Sequence, residues 1–149
     1  MQYRKGDICS AFEYYTKAAE LGDAEAHYSL SCMYRDGHGV AKDRGEEEIY
    51  HLEESAIKGH PGARCRLGCH EWNNGDTERA LNHLIIAATQ GDDDSIKFLM
   101  QLFKEGYVSK DDLAAALRAH QAAVDATKSP QREAADTYMT KYDKAGIGR

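Results

Sequence analysis

The sequence predicts an all-α fold, a short solenoid of antiparallel helix pairs, from three observations. The first is a recurring turn. Gly22-Asp23 is echoed at Gly59-His60 and Gly91-Asp92, and each glycine is followed eight residues later by a leucine: Leu30, Leu67 and Leu99. Such self-similarity marks stacked units, each too small to bury its apolar face alone. The second is a gapless internal match at a constant offset of 69 residues, which spans two units. It sets Tyr3 on Trp72, Gly6-Asp7 on Gly75-Asp76, Ala11 on Ala80, Ala18-Ala19 on Ala87-Ala88, and Gly22-Asp23 on Gly91-Asp92. The third is composition. The aliphatic residues lean on Ala and Leu rather than Val and Ile, which favours helix over sheet.

Taken in order, Met1 to Gly6 read as the tail of a helix, so the chain is expected to start inside a unit. Asp7 is the expected N-cap of a helix over Ile8 to Leu21, in which Ile8, Ala11, Phe12, Tyr15, Ala18 and Ala19 keep three-four spacing. Gly22-Asp23 turns into a helix from Ala24 to Asp36, which Gly37 ends. After a loop to Lys42, Asp43 and Glu46 form a capping-box pattern that opens a helix to Lys58. Pro61 suits the first turn of the next helix, to Asn73. The short turn Gly75-Asp76 leads to a helix from Thr77 to Gln90, and Asp92 to Asp94 precede another, to Glu105. Ser109 and Asp112 open an Ala-rich helix to Thr127. Ser129-Pro130 is expected to break it and start a last helix to Tyr142, with fraying beyond Lys144. The organisation expected is an incomplete unit over residues 1–22, units over 23–59 and 60–91, a degenerate unit over 92–128, and a capping helix and tail over 129–149.

A net charge of −6 argues against nonspecific affinity for nucleic acid or an anionic membrane, both of which want a basic face. No apolar run approaches the ~18 residues of a membrane span. The four cysteines, Cys9, Cys32, Cys65 and Cys69, show no regular pairing. Reduced thiols and a cytoplasmic setting are expected.

The stretch AEAHYSLSCMYRDGHGV resembles the Sel-1-like repeat, a relative of the tetratricopeptide repeat. Ala24-Glu25-Ala26, Tyr28, Leu30, Tyr34, Gly37, Gly39 and Val40 carry the likeness, with Lys17-Ala18-Ala19 closing the preceding helix. The next unit keeps Ala63, Leu67 and Gly68 but has Glu71 at the tyrosine position. The third keeps Leu99 and Phe103 but has Met100 where glycine is usual. The likeness covers about Ile8 to Val124. It implies a right-handed superhelix that binds other proteins and has no enzymatic activity.

In the register this resemblance implies, the first helix of each pair lines a concave groove. The partner-binding residues expected there are Glu25, Tyr28, Cys32 and Arg35, then Cys65, Cys69 and Trp72, then Lys97, Gln101 and Lys104. Such a mixed surface suits a peptide or helix with polar and apolar anchor points. Trp72 stands at its helix end and could anchor either a partner or the neighbouring unit.

Cys65 and Cys69 lie one turn apart, with His60 and His70 nearby. Without a second pair at zinc-finger spacing, they read as helix-contact thiols. Glu46 to Glu48 and Asp92 to Asp94 lie in first helical turns, where acids are favoured by the helix dipole. No catalytic residues, metal or cofactor are expected. The function expected is a noncatalytic adaptor or scaffold for protein partners, with no nucleic acid and no membrane insertion. The alternative is a structural subunit docked in a larger assembly through its N-terminal helix face.

Overall fold

The computed structural model describes residues 5–43 and 45–144, and helices follow one another throughout. They are α1 Lys5–Glu20, α2 Ala24–Asp36, α3 Glu46–Ile57, α4 Pro61–Asn73, α5 Thr77–Thr89, α6 Asp93–Lys104 and α7 Lys110–Lys144. Each helix packs on the next, and α5 also meets α7. Contacts between sequence neighbours, repeated down the chain, make a solenoid.

The turns form for the reasons their residues give. Gly22, Gly59 and Gly91 take positive φ near 90° (90°, 92° and 94°), a conformation that is cheap only without a Cβ. Asp23, Asp76 and Asp92 cap α2, α5 and α6 by accepting from Glu25 N, Arg79 N and Ser95 N. His60 does the same for α4, its Nδ1 accepting from Ala63 N at 3.2 Å. Ser109 Oγ accepts from Asp112 N at the start of α7.

Three expected boundaries differ. Helix α1 is already helical at Lys5, so Asp7 lies in its first turn rather than at its N-cap. Gly6 lacks the left-handed backbone of its counterpart Gly75, and it lies inside α1 with helical backbone. Asp43 does not cap α3. Its Oδ1 accepts from Gly45 N at 2.9 Å in a local turn, which leaves Gly45 at the N-cap without a side-chain acceptor. Helix α7 runs through Ser129-Pro130 without a break. Proline removes one hydrogen bond there, but the flanking Ala, Gln, Arg and Glu are strong helix formers, and the described side chains around it are exposed. The fraying expected beyond Lys144 lies outside the described residues.

The core is a string of clusters rather than one centre. Ala19, Ala26 and Leu30 join α1 to α2, with Phe12, Tyr15 and Met33 packed around them. Leu52, Ala56, Ala63 and Leu67 join α3 to α4. The largest cluster includes Leu84, Ala87, Ile96, Leu99, Leu102, Leu113 and Ala116, and it ties α5, α6 and the first half of α7 together. Leu113 and Ala116 therefore close the last apolar face. At Gly68 a Cβ would meet Leu84 Cγ at 2.9 Å, so the close α4–α5 approach depends on glycine. Ser55, fully buried on α3, donates to Ala24 O at 2.8 Å and ties α3 to the start of α2.

Candidate functional site

Helices α2, α4 and α6 are the first members of their pairs, and side chains from α2 and α4 meet along one face. On α2, Glu25, Tyr28 and Cys32 fall at three-four spacing and so share that face. They line an opening of about 240 Å³ between α1 and α2, together with Ile8, Ala11 and Tyr15. Beside it, Arg35, Cys69 and Asn73 line a second opening of about 330 Å³ with Glu48, Arg66 and His70. A third, of about 520 Å³, lies where α4 and α6 begin, lined by His60, Gly62, Asp92 to Asp94 and Lys97.

Tyr28 is fixed between two units. His60 of α4 stacks on its ring at a centroid distance of 4.4 Å, and the Arg66 guanidinium lies 5.4 Å from the ring centroid. Burial raises the Tyr28 hydroxyl above its ordinary pKa, so it stays protonated at neutral pH. His60 Nδ1 accepts from Ala63 N, so its proton sits on Nε2 and points to Glu25 Oε2, 2.7 Å away. One imidazole thus caps α4, stacks on Tyr28 and holds Glu25.

Arg66 is the residue that the sequence reading missed. Its Nη1 donates to Ser31 Oγ at 3.1 Å and Cys32 Sγ at 3.2 Å, and its Nη2 pairs with the buried Glu48. It joins α2, α3 and α4 through one planar, multi-donor group. The only signal was one of the two arginines that flank Cys65 on α4. Its partners lie 18 to 35 residues away, beyond the reach of local pattern.

The other expected residues divide. Cys65 is buried with Leu84, Ile96 and Leu99, because α6 packs over that side of α4. Cys69 is half-buried beside it. Hydrogen bonding between the two thiols lowers the Cys69 pKa and raises that of Cys65, and burial raises Cys65 further. Trp72 meets Phe98 and Tyr107 edge-on, at 6.0 and 4.9 Å, so it anchors the neighbouring unit. Arg35 makes a two-point contact with Asp36 at 3.0 and 3.2 Å, which raises the arginine pKa and lowers the aspartate's. Lys97, Gln101 and Lys104 are exposed on α6, with Gln101 Nε2 donating to Glu105 at 2.8 Å.

The four cysteines are free thiols. Among the described residues, no group of three or more His, Cys, Asp or Glu side chains could hold a metal ion. No helix there is long and apolar enough to cross a membrane.

The family model of the Sel1 repeat matches residues 4–23, 24–60 and 63–92, more than half of the chain. The chain belongs to the Sel1 repeat family. A Sel1 repeat protein from Oxalobacter formigenes has a similar solved structure, with a TM-score of 0.62 and 30% identity over 77% of this chain and 49% of that one. A protective antigen of uropathogenic Escherichia coli with an SLR fold gives a TM-score of 0.60 and 28% identity, over 73% of this chain and 25% of its own. A mouse protein, DAP3-binding cell death enhancer 1, is 25% identical over 169 aligned positions. That match covers 87% of this chain and 33% of the mouse protein, so the Sel1 repeat chain spans about a third of that relative's length. The Sel1 matches stop at residue 92, yet α6 and α7 continue the helix-pair packing.

Proposed function

We propose that this Sel1 repeat chain is a noncatalytic adaptor that presents the face of α2, α4 and α6 to an extended peptide or a helix of a protein partner. The observation that carries this reading is the succession of openings along that face: Glu25, Tyr28 and Cys32 at the first, Arg35 and Cys69 at the second, and Lys97 at the third. The first has an apolar wall, and the others alternate acids and bases. A partner with one apolar anchor and charged groups of both signs fits that order. Membership of a family of interaction modules supports a binding role, and the mouse relative is named for binding another protein.

A second reading, a subunit docked in a larger assembly through its N-terminal face, draws on one observation. Ile8, Ala11, Tyr15 and Met33 give the α1–α2 opening its apolar wall. Charge reversal at Lys97 and Lys104 separates the two readings from substitution at the N-terminal face by Ile8→Glu. On the groove reading, the paired reversal weakens capture of a copurifying partner at least about tenfold, about 1.4 kcal/mol, and Ile8→Glu, which puts a charge in the groove's apolar wall, weakens it as well. Loss of capture with Ile8→Glu alone supports the docked subunit, and unchanged capture by the paired reversal removes the groove reading.

A further inference from the structure

Two imidazoles meet between α2 and α3, away from the groove. Nδ1 of His27 and Nδ1 of His51 lie 3.0 Å apart, with ring centroids 5.3 Å apart. His27 is 6% exposed and the His51 side chain 12%. Tyr34 stacks on His51 at 5.6 Å, and Tyr50 packs edge-on against both rings. The pair lines a cavity of about 450 Å³ with Phe12, Glu20, Glu54 and Lys58.

A nitrogen–nitrogen distance of 3.0 Å is a hydrogen bond, and it needs one proton between the two atoms. Glu47 Oε2 lies 3.9 Å from Nε2 of His51, which favours the proton on Nε2 and leaves Nδ1 as the acceptor. Nδ1–H of His27 is then the donor. A proton added to Nδ1 of His51 sets two N–H groups face to face and places a charge against aromatic walls. We propose that the His27–His51 pair is an acid-sensitive latch between α2 and α3, closed by one shared proton and opened when a second proton enters.

The groups facing the pair are Tyr34 from α2, Glu47, Tyr50 and Glu54 from α3, Lys58 at the C-cap of α3, and Glu20 from α1. The carboxylates favour a charged imidazole, while Lys58 opposes one. Burial prevails: first burial and then the neighbouring His27 hold His51 down to about 4. An unfolded histidine titrates near 6.5, so between about 6.5 and 4 the unfolded chain holds more protons than the folded one. The latch is therefore fully stabilising above about pH 6.5, and its contribution is lost as pH falls towards 4. Helix α2 also carries Glu25, Tyr28 and Cys32, so opening the latch disturbs the groove. That last consequence rests on the adaptor reading; the latch itself does not.

The test is a nitrogen-resolved NMR titration of the histidines in the full chain, paired with thermal unfolding of wild type and His51→Gln. The glutamine keeps an acceptor for His27 and cannot take up the proton. The expected results are a His51 ring still neutral near pH 5.5, protonated on Nε2, and a melting temperature that falls more steeply from about pH 7 to 5 in wild type than in His51→Gln. Three results would overturn the latch: His51 titrating near 6.5 in the folded chain, parallel pH profiles for the two proteins, or a metal ion holding both Nδ1 atoms. If His51→Gln does not fold, the wild-type titration decides. A working latch in a chain whose groove variants still capture the partner leaves the latch standing and the adaptor reading refuted.

Discussion

At Arg66, three helices meet through one side chain, and the balance of its interactions decides how the first two units stay in register. Its Glu48 partner is buried, so removing the arginine leaves an unpaired carboxylate rather than a simple loss of contact. Arg66→Met is expected to cost about 2–3 kcal/mol, less than a fully buried pair because the arginine side chain is 17% exposed. Adding Glu48→Leu should recover most of that loss, and a double-mutant cycle by urea unfolding measures the coupling. Gly68 poses the opposite problem. Alanine would gain about 1 kcal/mol of helix propensity, but its Cβ would stand 2.9 Å from Leu84 Cγ and 3.2 Å from Ala80 O. Overpacking of about 1–3 kcal/mol outweighs that gain, so Gly68→Ala should lower the unfolding midpoint, whereas a flat or raised midpoint would show that α5 shifts freely. Neither residue's role was legible in the sequence. Arg66 acts across units, and Gly68 showed only the family's small-residue position, not the side chain it accommodates.

At the scale of elements, the turns were the legible part. Gly22, Gly59 and Gly91 take left-handed backbone, and the aspartates after two of them cap the helix that follows. These signals work because a missing Cβ and a short carboxylate act within a few residues. Gly6-Asp7 repeats the letters of Gly75-Asp76 but not the turn: both residues lie inside α1, with helical backbone. Pro130 likewise lost to its neighbours. Helix α7 spans 35 residues, ~52 Å at 1.5 Å per residue, and its described side chains from Asp125 to Lys141 are exposed. Truncation after Asp125 should therefore change thermal stability by less than about 1 kcal/mol, whereas Leu113→Ala should cost about 2–3 kcal/mol. Calorimetry of the two variants distinguishes the part of α7 that closes the core from the part that projects beyond it.

For the whole molecule, the repeat made the solenoid readable, and the register implied by the family resemblance placed Glu25, Tyr28 and Cys32 on one face. The register alone could not separate exposed positions from those covered by the next unit. Cys65 and Trp72 share the register of the open positions, yet α6 buries the first and Phe98 with Tyr107 holds the second. What remains open runs from the apolar wall at Ile8 and Tyr15, past the charges of Arg35 and Arg66, to Lys97 and Lys104. Hydrogen exchange of the chain with and without its copurifying partner tests the central claim most directly. The account predicts slowed exchange in α2, α4 and α6, with α3 and α5 unchanged. Protection confined to α3 and α5, with α2, α4 and α6 exchanging as in the free chain, would contradict it.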